Sequence, residues 1–207
     1  NLHIIGEHFQ PIQHALLAVK GAKLSDLKFV HSHIHALPQC QKIIQKMELK
    51  PEVHADTAGA AHEVARHKDK SQAAIASTLA ANIYDLDIIQ ENIQDAAHNT
   101  TRFLILSSHA YVPEWEEGQH YITSFIFQVR NIPASLYKSL SGFATNNINM
   151  VKLESYMDEK FHAAQFYADV IGHPEERSLQ LAMEELGFFA KEVFLLGTYK
   201  AHNFRNL

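Results

Sequence analysis

Short apolar runs and amphipathic stretches alternate along the first hundred residues. The apolar runs cover 2–19, 27–30, 52–55 and 73–76. Gly6 and Pro11 divide the first of them, so that every piece has the length of a strand. Between them, apolar residues recur at helical spacing over 37–47, 60–65 and 78–84. This order of strand, helix and strand predicts an α/β layer with a mostly parallel sheet.

Two strand-to-helix junctions in this half carry short hydroxyl side chains. Ser32 follows the strand at 27–30, and Asp56-Thr57 follows the strand at 52–55. A helix start offers unpaired N–H groups and the positive end of the helix dipole, which suit a carboxylate. Ligands of such sheets bind at these junctions. The alternative is plain helix capping, which needs no ligand.

A polar connector separates this pattern from the rest of the chain. Residues 107–118 contain paired serines, Pro113, three glutamates, one tryptophan and Gly118, a composition typical of a linker. The predicted domain limits are therefore 1–106, 107–118 and 119–207.

Beyond the connector, strand-like and helix-like periods follow each other again. Positions 121–129 alternate as in a half-buried strand, and Leu136, Leu140 and Phe143 share one helical face. Two strands joined by a polar hairpin, a second helix opening at Pro174 and a last strand complete the pattern. This βαββαβ order is the ferredoxin-like unit.

Composition narrows the class of protein. The chain has 207 residues, 46% of them apolar, and a formal net charge of −5 with scattered basic residues, which argues against nucleic acid as a partner. Its single cysteine, Cys40, suits a reducing cytosol, so a cytoplasmic location is expected. The apolar stretches are shorter than the ~20 residues of a membrane helix. The 15 histidines lack the spacing of metal ligands, so no metal site is expected.

The stretch Asn99-Thr100-Thr101-Arg102-Phe103 places amide, hydroxyl and guanidinium groups at the start of a run of strand formers. The three short polar side chains can form hydrogen bonds there, and the Arg fork can bind a carboxylate through two parallel bonds. This arrangement suits an anionic substrate with a leaving oxygen. On these residues alone, a loop-to-strand junction with a surface Arg is the simpler alternative.

The same stretch resembles the threonine-arginine-phenylalanine signature of the prephenate dehydratase family. Further segments resemble the family in the same order: Ser32-His33 with Ala36-Leu37 and Gln39-Cys40, Asp56 to Ala61, and Ala73 to Ser77. An appended ACT regulatory domain is similar to Asn131-Ile132-Pro133, Lys152 to Ser155, Phe166 to Asp169 and Leu195 to Tyr199. The resemblance implies the C-terminal part of a two-lobed, periplasmic-binding-protein-like catalytic domain, followed by a ferredoxin-like ACT domain.

This resemblance also implies an activity, the decarboxylating dehydration of prephenate to phenylpyruvate in L-phenylalanine biosynthesis, with no metal or organic cofactor. The family's catalytic threonine corresponds to Thr101, whose hydroxyl would donate a hydrogen bond to the departing oxygen in a dry cleft. Arg102 would pair with a substrate carboxylate, or would support the loop from outside the cleft. The further candidates for substrate contacts are Ser32, Thr57, Asn99 and Thr100.

The ACT resemblance implies phenylalanine as an effector, bound between the ACT domains of a homodimer or homotetramer. The corresponding residues are Asn131, Leu136, Glu154 and Ser155. The chain departs from the family by having Ala134-Ser135 where Gly-Ala is frequent, and Tyr156-Met157 where Arg-Pro is frequent. Inhibition by phenylalanine is therefore a hypothesis that a titration would decide.

The front of the family's catalytic domain has no counterpart in this sequence. Its glycine-rich first motif and its Glu-Asn-Ser stretch are both missing, so we expect a truncated or clipped chain that exposes a sheet edge. Three alternatives to an active dehydratase stay open. They are an inactive fragment, a non-catalytic amino-acid sensor built on residues 119–201, and a solute-binding protein, whose clamshell half the α/β lobe resembles.

Overall fold

The computed structural model describes residues 2–96, 98–130, 132–157, 159 and 163–205. The chain divides into two compact units. The α/β unit comprises Gln10–Thr101, and the ferredoxin-like unit comprises the residues up to Phe9 together with those from Arg102 onward. The first strand, β1 (His3–Pro11), contributes residues to both units.

The sheet of the α/β unit consists of β2 (Ala15–Ala18), β3 (Phe29–His33), β4 (Lys50–His54), β5 (Gln72–Ala76) and β6 (Asp87–Gln90). The strand order is β4–β3–β5–β2–β6. Strand β3 pairs in parallel with β4 and β5, whereas β2 is antiparallel to β5 and β6. The sheet is therefore mixed, not mostly parallel as expected. The link from β2 to β3 holds a 3₁₀ turn at Leu24–Asp26 and no crossover helix, which fits a β2 that runs opposite to β3 and β5.

The helices of the α/β unit are α1 (Gln41–Lys46), α2 (Thr57–His67) and α3 (Thr78–Tyr84). A 3₁₀ turn at Leu37–Cys40 contains Pro38 and precedes α1, which confirms the irregular start expected there. The Asp56 carboxylate caps α2 by accepting a bond from the Gly59 N–H at 2.6 Å, and Ser77 caps α3 in the same way. The predicted starts of α2 and α3 are therefore confirmed, whereas Ser32, the other predicted helix start, lies within strand β3.

Small side chains hold α2 close to the centre of this sheet. Ala73, Ala74 and Ala76 of β5 are completely buried, as are Ala60 and Ala61 of α2, and the two elements pack together. Alanine on both sides lets the helix approach the sheet closely. This packing fixes the first turn of α2 and the residues that flank it.

A second strand, β7 (Thr100–Ser107), pairs with β1 in a two-stranded sheet. The division between the units falls inside both strands, after Phe9 in β1 and after Thr101 in β7. Neither strand belongs to one unit alone. The domain limits of 1–106, 107–118 and 119–207 therefore remain a proposal.

The four-stranded antiparallel sheet of the ferredoxin-like unit consists of β8 (Tyr121–Val129), β9 (Met150–Met157), β10 (Ala163–Ile171) and β11 (Ala190–Lys200). Its order is β11–β8–β10–β9. Two helices, α4 (Ser135–Thr145) and α5 (Arg177–Phe189), share an apolar core with one face of the sheet. The predicted βαββαβ order is confirmed.

Helix α5 begins at Arg177, not at Pro174 as the sequence predicted. The buried His173 forms a turn first, because its carbonyl accepts a bond from the Glu176 N–H at 2.9 Å and its Nδ1 accepts one from the Glu175 N–H at 3.2 Å. This turn occupies the positions where the helix was expected to start.

Strand β1 packs on the face of the four-stranded sheet that the helices leave open. Ile4 of β1 joins Ile122, Tyr167 and Tyr199 in a small apolar cluster. A Cβ atom added to Gly197 of β11 would lie 1.9 Å from the Ile4 carbonyl oxygen. Glycine at this position is what allows the two backbones to approach so closely.

Two absences hold for the described residues. Every helix there falls short of the length or the apolar character that a transmembrane span requires. The same residues contain no group of three His, Cys, Asp or Glu side chains placed to hold a metal ion.

Candidate functional site

One cleft of the α/β unit contains three of the predicted site residues. Thr57, Asn99 and Thr101 line a cleft of about 350 Å³, within the range of about 300–1,000 Å³ usual for small-molecule sites. The other residues that line it are Ile12, His14, His33, His35, Ala36, Gln39 and Asp56. The cleft thus combines two hydroxyls, two carboxamides and three imidazoles with the start of helix α2.

The two threonines of β7 lie in different surroundings. Successive side chains of a strand point to opposite faces, and the exposed Thr101 lines the 350 Å³ cleft. Thr100 lines a neighbouring cleft of about 430 Å³ together with Pro38, Asp95 and His98. Thr101 and Thr100, both predicted to contact the substrate, thus line two neighbouring clefts that share Gln39 and Asn99.

Gln39 holds two sides of the 350 Å³ cleft together. Its Oε1 accepts a hydrogen bond from Asn99 Nδ2 at 2.8 Å and lies 3.1 Å from Nε2 of the buried His14. Because this oxygen is an acceptor, the hydrogen-bond network assigns the His14 proton to Nε2. The backbone N–H of His14 donates to Gln94 Oε1 at 3.0 Å. These bonds fix the carboxamide of Asn99 beside Thr101.

The start of α2 and two nearby imidazoles bring hydrogen-bonding groups to the cleft. Thr57 is the first residue of α2, where backbone N–H groups and the helix dipole favour negative charge. His33 and His35 also line the cleft with their ring centroids 5.1 Å apart and their planes tilted by 57°, and His33 Nδ1 accepts a bond from the His35 N–H. These groups lie beside the Asp56 carboxylate, which lines the same cleft and already accepts the Gly59 N–H.

Ser32 lies inside the sheet and not in the cleft. Strand β3 extends to His33, so Ser32 is a strand residue whose side chain is completely buried. Its Oγ donates to the Ile75 carbonyl oxygen of β5 at 2.6 Å. The structure thus gives Ser32 a sheet-stabilising role in place of the predicted substrate contact.

Arg102 is held by groups of the ferredoxin-like unit. Its Nε donates to Glu7 Oε2 at 2.7 Å, its Nη1 to Asp169 Oδ2 at 2.6 Å and its Nη2 to Tyr199 Oη at 2.6 Å. Arg205 also binds Glu7, through Nε at 2.7 Å and Nη2 at 2.9 Å. These contacts favour the structural alternative for Arg102 over the clamp on a substrate carboxylate.

Burial and charge act in opposite directions on this network. Burial alone would raise the pKa of Glu7, but hydrogen bonds from Arg205 and the His202 N–H, together with both guanidinium charges, lower the pKa below its ordinary value. Burial would lower the pKa of Arg102, yet its neighbours raise it. Glu7 and Arg102 therefore stay charged as a pair at neutral pH.

The predicted effector residues fall on two faces of the four-stranded sheet. Leu136 of α4 packs against the core between helices and sheet, and Ser155 lies opposite Phe166 on that same face. Glu154 points to the other face and forms an ion pair with Lys152 at 3.0 Å. Asn131 lies outside the described residues.

Ala134, one of the noted departures from the family, has a left-handed backbone. Its φ of 62° and ψ of 10° place it in the region that favours glycine, immediately before α4. Glycine is frequent at this position in the family that the sequence resembles. The departure therefore carries a conformational cost at the start of α4.

A larger cleft of the α/β unit has a different character. It measures about 770 Å³ and combines the apolar side chains of Leu24, Ile43, Met47 and Ile93 with three lysines, Lys23, Lys42 and Lys46.

Burial, helped by the charge of Asp95, raises the pKa of the Cys40 thiol to about 12. Cys40 is therefore a core residue without thiolate character at neutral pH.

A sequence profile of the prephenate dehydratase family matches residues 1–111. This segment is more than half of the chain, and it includes β1, the whole α/β unit and β7. The chain belongs to the prephenate dehydratase family.

Relatives named as prephenate or arogenate dehydratases align with nearly the whole of this chain. A bifunctional N-acyl-homoserine lactone acylase/prephenate dehydratase of Komagataeibacter europaeus is 46% identical over 99% of this chain. Arogenate dehydratase 2 of Petunia hybrida is 37% identical over 96% of it. The crystal structure of prephenate dehydratase from Arthrobacter aurescens in complex with L-Phe covers 98% of the chain with a TM-score of 0.88 at 26% identity, and the chain covers 67% of that structure. The predicted combination of a periplasmic-binding-protein-like catalytic part and an ACT domain is therefore confirmed.

The chain is shorter than these relatives. It spans 73% of the Komagataeibacter protein and about half, 54%, of the Petunia protein.

Several polar residues of the cleft were missed by the sequence reasoning. His14 and His35 carried no signal beyond their side-chain chemistry. Gln39 and His33 belong to the second family segment noted in the sequence, and that segment could have identified them. Asp56 was recognised as a helix cap and as part of a family segment, but it was not among the predicted substrate contacts.

Proposed function

We propose that the protein is a carbon–oxygen lyase that converts prephenate to phenylpyruvate, with Thr101 as the hydrogen-bond donor to the leaving hydroxyl. The observation that carries the proposal is the shared cleft of Thr57, Asn99 and Thr101 beside the start of α2. Family membership supports the reaction class.

The reaction needs little from the enzyme, because it produces an aromatic ring. The bond between the ring and its carboxylate breaks, carbon dioxide leaves, and the electron pair enters the ring. The C–O bond at the opposite carbon breaks at the same time, and the departing hydroxide, stabilised by a donated hydrogen bond, takes a proton from the solvent and becomes water. A donor aimed at this oxygen stabilises the developing charge by about 3 kcal/mol.

Each part of the cleft has a task in this scheme. The start of α2 with Thr57 would hold one carboxylate, and the carboxamide of Asn99, fixed by Gln39, would orient the substrate. Thr101 is exposed to the cleft, so its hydroxyl can reach a bound substrate. In a cleft closed to water, the hydroxyl would act through a positioned hydrogen bond without itself losing a proton.

Thr101→Val tests this assignment in the complete gene product. Valine keeps the shape of threonine and removes the hydroxyl, so kcat for phenylpyruvate formation should fall by about 100-fold or more while KM changes little. Thr100→Val is the matched comparison, and its loss should be at least tenfold smaller because Thr100 lines the other cleft. A Thr101→Val enzyme with the kcat of wild type and an intact circular dichroism spectrum would contradict the assignment.

The side chain of the substrate is a separate question, since relatives are named both for prephenate and for arogenate. Arogenate carries an amino acid side chain where prephenate carries a keto acid. We propose prephenate as the preferred substrate. Equal assays with both compounds decide this point, and a higher kcat/KM for arogenate would reverse the preference.

We further propose that phenylalanine acts as an effector of this enzyme as a homodimer or homotetramer. A related structure contains L-Phe, and Leu136 and Ser155 lie on the same face of the ACT sheet. A titration of activity with phenylalanine should give a saturable decrease. A flat curve would mean that the changes at Ala134 and at Tyr156-Met157 have removed the response.

A second candidate activity is the hydrolysis of N-acyl-homoserine lactones, in which water cleaves the amide to a fatty acid and homoserine lactone. A bifunctional relative named for this acylase is 46% identical, and the apolar floor of the 770 Å³ cleft could hold an acyl chain. Release of free fatty acid should occur in wild type and fall in Leu24→Asp, which places a charge at an exposed position of that cleft. No release by wild type would reject this activity and leave the dehydratase proposal intact.

A further inference from the structure

Arg102 directly follows Thr101, and its side chain ends in a buried polar network. Each of its three guanidinium nitrogens donates to a different partner: Glu7, Asp169 and Tyr199, at 2.6–2.7 Å. The side chains of Glu7 and Asp169 are 0% exposed. The groups that a substrate carboxylate would need are thus engaged by the protein itself.

The partners of Arg102 are themselves fixed by neighbouring elements. Ser124 of β8 donates to the second oxygen of Asp169 at 2.5 Å and lies 2.9 Å from the Tyr199 hydroxyl. Arg205 and the His202 N–H complete the contacts of Glu7. Two carboxylates and two guanidiniums balance in charge, and strands β1, β8, β10 and β11 all contribute to the network.

Such a network leaves the guanidinium of Arg102 little freedom. A buried charge that loses its partner is strongly destabilising. Any other position of Arg102 would remove the cation that faces Asp169 and leave Glu7 with Arg205 alone. The bonds also use the planar fork of arginine, which lysine cannot reproduce. The position of Arg102 is therefore set by the ferredoxin-like unit.

The position of Arg102 also constrains Thr101. The two Cα atoms are joined by a planar peptide about 3.8 Å long, and the side chains of neighbouring strand residues point to opposite faces. The division between the two units falls at this peptide bond. Fixing Arg102 restricts the backbone position of its neighbour Thr101, from which the Thr101 side chain projects.

We propose that Arg102 is a positioning residue, and that its anchorage to Glu7, Asp169 and Tyr199 holds the Thr101 hydroxyl in its productive direction. This inference rests on the proposed dehydratase function. It differs from a substrate clamp in a measurable way. Loss of a clamp weakens substrate binding and raises KM, whereas loss of positioning lowers kcat, since misplacement by about 1 Å can cost about 100-fold.

The test measures kcat and KM for prephenate in the complete gene product and in four variants. Asp169→Asn keeps the shape of the anchor and removes its charge, Tyr199→Phe removes one hydroxyl, and Arg102→Lys removes the fork. Thr123→Val is the matched control. It alters a buried residue of β8 that bonds with Gly172 and Thr198. Circular dichroism and thermal midpoints are recorded for all variants.

Asp169→Asn and Arg102→Lys should each lower kcat 10- to 100-fold with KM within threefold of wild type, and Tyr199→Phe should lower kcat three- to tenfold. Thr123→Val should keep kcat within twofold even where its thermal midpoint falls equally. Raised KM at unchanged kcat in Arg102→Lys would overturn the inference in favour of the clamp. An unchanged kcat in folded Asp169→Asn would overturn it too, and Tyr199→Phe decides in the same way if Asp169→Asn fails to fold. Wild type without any phenylpyruvate formation would instead reject the proposed function, and with it this role.

Discussion

Gly197→Ala should destabilise the ferredoxin-like unit through a single backbone contact. The new Cβ would lie 1.9 Å from the carbonyl oxygen, 2.9 Å from the carbonyl carbon and 3.1 Å from the nitrogen of Ile4. Real Cβ atoms essentially never approach another atom closer than 3.0 Å. Strands β1 and β11 would therefore have to separate by more than 1 Å.

The expected cost follows from what surrounds this contact. The obstructing atoms belong to the backbone, so no side chain can rotate away, and the separation would loosen the packing of Ile4 against Ile122 and Tyr199. Overpacking of this kind typically costs 1–3 kcal/mol, and we expect a loss of about 3 kcal/mol because backbone must move. For a chain of this size, that loss lowers the thermal midpoint by roughly 6–12 °C.

Differential scanning calorimetry or thermal circular dichroism measures the effect, and Gly187→Ala is the matched control. Gly187 lies inside α5, where no atom lies within 4 Å of an added Cβ. The same substitution there should raise stability by up to about 1 kcal/mol through helix propensity. If Gly197→Ala left the midpoint within about 2 °C of wild type, the close approach of β1 to β11 would be refuted.

Three further substitutions test individual interactions. Glu7→Gln should lower the free energy of unfolding at pH 7 by about 3–5 kcal/mol. The difference in free energy of unfolding between wild type and this variant should narrow below pH 4.5. A lowered pKa of Glu7 gives stability that is present above the pKa of the unfolded state and is lost as pH falls through the pKa of the folded state. Urea unfolding across this pH range measures the difference, and a constant difference would contradict the role of the Glu7 charge. Ser32→Ala should cost about 1–3 kcal/mol by leaving the Ile75 carbonyl with one partner fewer, with KM unchanged; a raised KM without loss of stability would return Ser32 to the substrate contacts. Ala134→Gly should stabilise the fold by about 1 kcal/mol by relieving the left-handed backbone, and a lower thermal midpoint would disprove that strain.

The sequence predicted the positions of helices and strands better than the contacts that their residues form with distant parts of the chain. Period and caps correctly located the starts of α2 and α3 and the βαββαβ order, because these depend on neighbouring residues. Ser32 and Thr57 looked alike as hydroxyls at helix starts, yet β3 extends one residue beyond Ser32 and turns its side chain into the sheet. Because Ser32 is a strand residue and not the first residue of a helix, its hydroxyl bonds to the neighbouring strand β5 and not to a ligand in the cleft.

Long-range pairs explain the remaining differences. Asp169 lies 67 residues from Arg102, and Asn99 lies 60 residues from Gln39. No local pattern indicates which carboxylate an arginine will meet at such separations. The direction of β2 depends in the same way on a neighbour, β5, that is distant in sequence.

The packing of β1 on the four-stranded sheet has a practical consequence for dissecting the protein. A regulatory fragment cut at residue 119 would lack Ile4, Glu7 and Arg102, so Asp169 would lose its counter-ion and Tyr199 its apolar cover. The face of the four-stranded sheet that β1 covers would then be exposed to solvent in such a fragment, with its apolar side chains and the unpaired Asp169 carboxylate. Ligand-binding studies on the isolated regulatory half therefore call for a permuted chain in which both missing strands are carried along.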